Sequence, residues 1–270
     1  MTRCARCRIA KDRSAPNVER RIDGVNMDLN TAAGVLRTYE NNPFSREIDP
    51  ADEMWNAGPE WYWGVGRSGL DCIIKGLLES PISHPRSMLD LACGHGRVGR
   101  HIRSAFPDIR LIWCDIAGPD FCARCFGGEA LRSDHELLNV ELPRVDAIWS
   151  GSLFTHLTEH RSRAWLAHVC ARLNPGGALI ASFHGRTTAR LYRSAHPAAT
   201  PIIDRIEPQC STAGWGYEAY DAAVDPEWGF SMTTVDGLAR VAAAVPNTRI
   251  GGLAEGACAA NQDVLVLIKN

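Results

Sequence analysis

Apolar residues change their spacing near residue 87. From residue 27 to that point the pattern is helical but repeatedly broken, by Pro43, Pro50, Pro59, Pro81 and Pro85. Its clearest helix is Leu70 to Leu78, with Leu70, Ile73, Ile74, Leu77 and Leu78 on one face. Beyond it, short apolar runs alternate with helical stretches. Ser87 to Leu91 reads as a buried strand, Arg97 to Phe106 as a helix, and Arg110 to Cys114 as a second strand closed by Asp115. Val145 to Trp149 is the next strand, and Glu159 to Leu173 a helix carrying Trp165, Leu166 and Val169. Asn174-Pro175-Gly176-Gly177 reads as the stop of that helix, before a strand from Ala178 to Phe183. Residues 184 to 232 have little periodicity. A threonine-capped helix then runs from Thr233 to Ala244, and Asp263 to Lys269 forms a final strand. Strand-helix-strand units of this length make right-handed parallel crossovers, so the expected fold is α/β with an open, doubly wound sheet.

Composition narrows the partners. At 270 residues, with 45% hydrophobic and 22% charged residues, the chain can bury a core. Its 29 basic and 31 acidic residues give a net charge of −2, so no global basic field invites a phosphate backbone, and a nucleic-acid partner is not expected. No apolar run approaches the length of a membrane span, so no membrane partner is expected either. Ten cysteines without a signal peptide fit a reducing cytoplasm and unpaired thiols. The pairs Cys4/Cys7 and Cys122/Cys125 make a tetrathiolate zinc site formally possible, but their wide separation argues against it, and no metal is expected. Residues 1–26 carry seven basic residues and no apolar period, and read as a solvated tail ending just before Met27. The expected organisation is that tail, a helical cap over 27–86, and an α/β domain over 87–270 whose insertion, 185–232, forms a lid over the substrate.

Chemistry concentrates in a glycine loop. Gly94, Gly96 and Gly99 satisfy G-x-G-x-x-G between a strand and a helix, a pattern shared with dinucleotide sites. Asp90, at the end of the strand entering the loop, would repel a pyrophosphate and attract an ammonium or sulfonium group. Asp115 closes the next strand about 25 residues later, where this architecture places an acid on the ribose hydroxyls. The alternatives are a strand-end surface acid at Asp90 and a helix N-cap at Asp115. A nucleoside with a positive tail suits both acids, and S-adenosylmethionine is such a molecule.

Four stretches, LDLACGHGR (89–97), WCDI (113–116), DAIWSGSLFTHL (146–157) and LNPGGALIASFHG (173–185), resemble in order and interval the class I S-adenosylmethionine-dependent methyltransferases. Phe-Thr-His-Leu and His-Gly after the fourth and fifth strands are most similar to bacterial small-molecule or sugar methyltransferases. The resemblance implies a seven-stranded, mostly parallel Rossmann-like sheet whose antiparallel last strand is QDVLVLIK (262–269), with a sixth strand near Thr248 to Leu253. It implies S-adenosyl-L-methionine as cofactor, held by Asp90, Ala92, Cys93, Gly94, Gly96, Asp115, Ile116 and Ser150. The family's loop usually opens with glycine where this chain has Ala92. Upstream, Tyr62 to Arg67 would close over the methionine end, with Arg67 on its carboxylate or simply an exposed cation.

Methyl transfer to a hydroxyl calls for a general base, and histidine suits neutral pH. His156 and His184 follow two strand ends at the ligand rim, so each is either that base or a turn-shaping residue. His95, inside the loop, reads as cofactor packing. Two aromatic clusters stand out, Trp55 to Trp63 and Trp215 to Phe230, the second suited to a sugar or other flat ligand or else to a satellite core. The leading expectation is a cytoplasmic methyltransferase of a small-molecule or glycan hydroxyl. The alternatives are a non-catalytic S-adenosylmethionine-binding or scaffold protein and an NAD-type oxidoreductase. The acceptor's identity and the oligomeric state are not legible.

Overall fold

The computed structural model describes residues 29–195, 198 and 200–270. The basic tail, with Cys4 and Cys7, lies outside the described residues.

Two helices precede the sheet: α1 (Leu29–Asn41) and α2 (Pro59–Leu78), the latter opened by a proline at its first turn and preceded by a 3-10 turn (Glu53–Ala57) capped by Asp52. The sheet then builds through β1 (Ser87–Leu91), α3 (Gly99–Ala105), β2 (Arg110–Asp115), α4 (Pro119–Phe126), β3 (Glu129–Arg132), β4 (Val145–Ser150), α5 (Glu159–Cys170) and β5 (Leu173–Phe183). Next come α6 (Arg186–Ala195), α7 (Thr200–Ala213) and a hairpin of β6 (Trp215–Ala219) with β7 (Gly229–Thr233). The chain closes with α8 (Val235–Ala243), β8 (Thr248–Cys258) and β9 (Gln262–Lys269).

The seven-stranded sheet runs in the order β3-β2-β1-β4-β5-β9-β8, parallel except for β9, which lies antiparallel to both neighbours. This is the expected fold, and the sixth large strand does start at Thr248. Because successive side chains point to opposite faces, each strand feeds two cores. Leu89, Leu91, Ile148, Leu179 and Leu265 pack with α5 and α8. Met88, Trp113, Trp149, Ile180 and Val266 pack with α2, α3 and α4 on the other face. Asp90 alternates with them and so faces the α2 side, in register with Trp149.

Several features differ from expectation. Helix α5 ends at Cys170, and Leu173 already pairs with Val145, so Asn174 to Gly177 lie inside β5, beside a register shift, rather than stopping the helix. Helix α8 is capped by Thr234, whose hydroxyl accepts from Gly237 N–H at 3.0 Å, one residue later than expected. The aperiodic segment is ordered: α6, α7 and the hairpin enclose their own small core of Ala189, Ile203, Ile206, Cys210, Phe230 and Met232.

Candidate functional site

The carboxyl ends of β1, β4 and β5 open into a cavity of about 870 Å³, at the upper end of the size range that holds small ligands. Cap residues, the glycine loop, the loop after β4 and the inserted elements all line it.

At one end lies the loop. Ala92 adopts φ 62°, Gly94 φ 52° and Gly96 φ 76°, so the chain turns three times through the left-handed region as it leaves β1. Gly96 has a second reason for being glycine: an added Cβ would sit 2.4 Å from the Phe126 ring, so its absence lets the loop pack on α4. Arg100, 1% exposed, braces the loop from beneath. Its guanidinium donates to the carbonyls of Gly96 (2.9 Å), His95 (3.2 Å), Ser45 (3.1 Å) and Glu47 (2.8 Å) and to the Tyr62 hydroxyl (3.3 Å). That set ties the loop to the cap.

Asp90 lines the cavity, is 2% exposed, and its Oδ2 has no hydrogen-bond partner. Burial, with the Asp115 charge as a smaller contribution, pushes its carboxyl up to about 8. Asp115 lies beside the loop instead of lining the cavity. Its Oδ2 accepts from Gly94 N–H at 2.8 Å and its Oδ1 from Ala117 N–H at 3.0 Å, so it both fastens the loop and caps the following turn. Ile116 next to it is 44% exposed. Ala92, Cys93, Gly94 and His95 line the cavity, with His95 4.0 Å from the Asp52 carboxylate.

Arg67 and Ser150, both expected at the cofactor, lie away from the cavity. Arg67 does not reach the cavity: Nε donates to Asp71 at 3.0 Å and the guanidinium lies 4.7 Å from the Tyr39 ring centroid. Ser150 is fully buried, because strand alternation puts it opposite Leu91 on the far face, while its neighbours Trp149 and Gly151 line the cavity. The cation at the cavity is Arg97, which sequence reasoning quoted in the loop motif without giving it a role. It lies under Trp61, 5.0 Å from that ring's centroid, and its Nη1 is buried without a partner. Burial lowers its pKa, against the opposing influence of Tyr62 and Asp52. Asp52, also on the cavity wall, accepts from the Tyr62 hydroxyl at 2.6 Å.

Both histidines line the other end. Ser152, at φ 61°, donates its N–H to Ser182 Oγ at 2.8 Å, and its carbonyl accepts from Thr155 Oγ1 at 2.6 Å. These bonds pin the 3-10 turn Phe154–His156 that carries His156. His156 Nδ1 lies 3.0 Å from the Gly229 carbonyl and 2.9 Å from the Tyr220 hydroxyl. A carbonyl only accepts, so Nδ1 holds the hydrogen and Nε2 keeps the lone pair. By the same logic His184 Nδ1–H donates to the Ser231 carbonyl at 3.2 Å. His184 is 4% exposed and stacks on Phe230 at 4.5 Å. Burial first, and then the nearby His156, push it down to about 3. Burial also lowers His156, with the Gly229 carbonyl opposing.

The aromatic clusters divide. Trp55, Tyr62 and Trp63 pack on one another in the cap, and Trp61 alone of that group lines the cavity. In the insertion, Tyr220, Trp228 and Phe230 line it, whereas Trp215 joins the core. All eight cysteines among the described residues are free. Cys122 and Cys125 lie on α4, with Cys122 Sγ 3.5 Å from the Gly94 carbonyl, and no cluster of three metal-ligating side chains occurs among the described residues. No helix among them is long and apolar enough to cross a membrane.

Residues 89–179, from β1 into β5, match the family model described as "Methyltransferase domain". That stretch is similar to a methyltransferase domain. No curated protein sequence matches it. Solved structures do. The plantazolicin methyltransferase BamL, in complex with a triazolic desmethylPZN analog and SAH, superposes with a TM-score of 0.56 at 10% identity over 90% of this chain and 99% of that one. The magnesium protoporphyrin IX methyltransferase ChlM of Synechocystis PCC 6803, with bound SAH, gives 0.52 at 10% identity over 90% and 96%. At such identities the likeness shows the fold alone. The chain spans 66% of human N-acetylserotonin methyltransferase, at 13% identity, 89% coverage of this chain and a TM-score of 0.48. It spans 55% and 51% of O-methyltransferase family proteins from Burkholderia thailandensis and Planctomyces limnophilus.

Proposed function

We propose that the protein is an S-adenosylmethionine-dependent methyltransferase acting on the hydroxyl of a small molecule. One observation carries the reading: a single cavity joins a buried acid and a glycine loop at one end to two neutral histidines at the other.

The loop end suits a nucleoside with a cationic amino-acid tail. A Cβ on Gly94 would meet nothing within 4 Å, so the loop faces open space in which a ligand can lie against backbone. Asp90 offers a carboxyl with an unpartnered Oδ2 that would ionise on receiving the positive end, Arg97 an unpartnered guanidinium nitrogen to the carboxylate, and Asp52 a second acid on the cavity wall. Asp115 keeps lone pairs for the ribose hydroxyls beyond its two backbone bonds, and exposed Ile116 offers the base an apolar face. An acid that ionises to receive a cation offers nothing to a pyrophosphate, which disfavours the NAD-type alternative.

When bound, the cofactor supplies a sulfonium methyl group, which leaves in one in-line displacement. The protein's part is alignment and proton removal. His156 presents Nε2 as a lone pair, with Nδ1–H held by Gly229, and takes the acceptor's hydroxyl proton. His184, with a pKa near 3, is too weak a base for that step and serves by fixing the inserted hairpin to the end of β5. Cap, loop and insertion together would exclude water, with the 185–232 segment as the lid.

The test is a screen for S-adenosylhomocysteine release over phenols, sugars, nucleotide sugars, amines and carboxylates. Turnover restricted to hydroxyl acceptors supports the reading. Turnover only with amines or carboxylates would overturn the hydroxyl assignment, and tight cofactor binding without any turnover would favour a binding role.

A further inference from the structure

The two halves of the cavity differ in charge. Asp52, Glu53, Asp90 and Arg97 all belong to the cap and the glycine loop. Among the described residues, no Lys, Arg, Asp or Glu from residue 98 onward lines the cavity, and both histidines there are held toward the neutral form. In the acceptor half most polar side chains are engaged, and Asn261 Oδ1 is buried without a partner. The Gln262 side chain bonds Ser152 Oγ (2.9 Å) and Ser182 Oγ (2.7 Å), and the Tyr220 hydroxyl lies on His156. The larger part of the wall is apolar and flat. Trp228 sits 4.8 Å from the His156 ring, Phe230 stacks on His184, and Leu191 and Ile202 complete the wall.

Resting on the methyltransferase reading, we infer that the acceptor is an uncharged aromatic compound bearing a hydroxyl. An anionic or cationic acceptor would bury its charge with no counter-ion, and a sugar would bring several hydroxyls to a wall on which Asn261 Oδ1 is the main unengaged acceptor beyond the histidine nitrogens. A planar ring loses nothing by burial there and stacks on the aromatic wall, leaving its single hydroxyl for His156 Nε2.

The experiment measures binding to the full chain saturated with S-adenosylhomocysteine, using 2-naphthol, 2-naphthoate, 2-naphthyl phosphate and methyl β-glucopyranoside. 2-Naphthol is expected to bind at least tenfold more tightly than the other three. Equal or tighter binding of the carboxylate, the phosphate or the glycoside overturns the inference, as does no binding of naphthol. Trp228→Ala is expected to weaken naphthol at least tenfold and leave S-adenosylhomocysteine affinity unchanged, and unchanged naphthol affinity would remove the aromatic wall from the argument. Leu191→Arg is expected to raise naphthoate affinity, and no gain would count against a charge-selected pocket. If S-adenosylhomocysteine fails to bind, the methyltransferase reading falls, whereas naphthol binding to the unliganded chain still decides the acceptor class.

Discussion

Replacing Asp90 by Asn tests how the cofactor's positive end is received. The carboxyl, buried between β1 and the loop, ionises near pH 8 instead of near 4. If the ionised form receives S-adenosylmethionine, binding must expel the proton, and affinity follows the ionised fraction. That fraction rises from about 1% at pH 6 to about half at pH 8, a gain of roughly fifty-fold in affinity. Calorimetry at pH 6, 7 and 8 in two buffers of different ionisation enthalpy reads both the affinity and the released proton. Asp90→Asn keeps the shape, removes the titration, and should leave a flat pH profile with affinity at pH 8 reduced at least tenfold. The sign for stability is the reverse: an acid whose folded pKa is raised costs stability as pH climbs from about 4 to about 8, so the Asn variant should gain on the wild type across that window. A flat wild-type profile, or an unchanged slope in the variant, would refute the role given to Asp90.

Three further outcomes follow from the geometry. Arg97→Ala should weaken S-adenosylmethionine by the roughly 1.5–3 kcal/mol of a charged hydrogen bond, about ten-fold or more by calorimetry, whereas Arg67→Ala, which loses a half-exposed pair with Asp71, should leave affinity within twofold. His156→Ala should lower the rate with a hydroxyl acceptor by about 10²–10⁴-fold at unchanged cofactor affinity; His184→Ala should instead lower the melting temperature through loss of its Ser231 bond and Phe230 stacking, and equal rates in the two variants would remove His156 as the base. Ala92→Gly should raise stability in denaturant titration by up to about 1 kcal/mol, since left-handed alanine costs about 1–2 kcal/mol and glycine's extra freedom when unfolded offsets part of the gain.

The central strands were legible because they are buried on both faces and read as short, mostly apolar runs, interrupted in β1 by Asp90 and in β4 by Asp146: β1 has its expected bounds, and β2 and β4 each extend one residue further. Edge strands carry no such run. Glu129 to Arg132 is almost wholly exposed, so β3 left no signal, and β8 buries only Cys258 along its length. The insertion was opaque because its apolar residues are sparse, shared between two helices and a hairpin, and interrupted by Pro208 inside α7. Site residues divide on similar grounds. Loop residues and both histidines sit at strand ends, which topology places on the rim, whereas Ser150 and Arg67 required knowing a face. Both faces were accessible in principle: strand parity sets Ser150 opposite Asp90, and Asp71 four residues after Arg67 is a helical ion-pair spacing. Arg100 reaches the loop through the nearby Gly96 and His95 carbonyls, but its bonds to Ser45, Glu47 and Tyr62, like the approach of Asp52 to His95, are tertiary, and no local pattern marks them.

Equilibrium binding of S-adenosylmethionine and of NAD, titrated separately into the wild type and Asp115→Ala, tests the central claim most directly. The account predicts saturable S-adenosylmethionine binding to the wild type, no NAD binding, and at least tenfold weaker S-adenosylmethionine binding to the variant, from the ribose contacts and the Gly94 anchor at roughly 1.5–3 kcal/mol per charged bond. Tighter binding of NAD than of S-adenosylmethionine, or an Asp115→Ala variant with wild-type affinity, would contradict it.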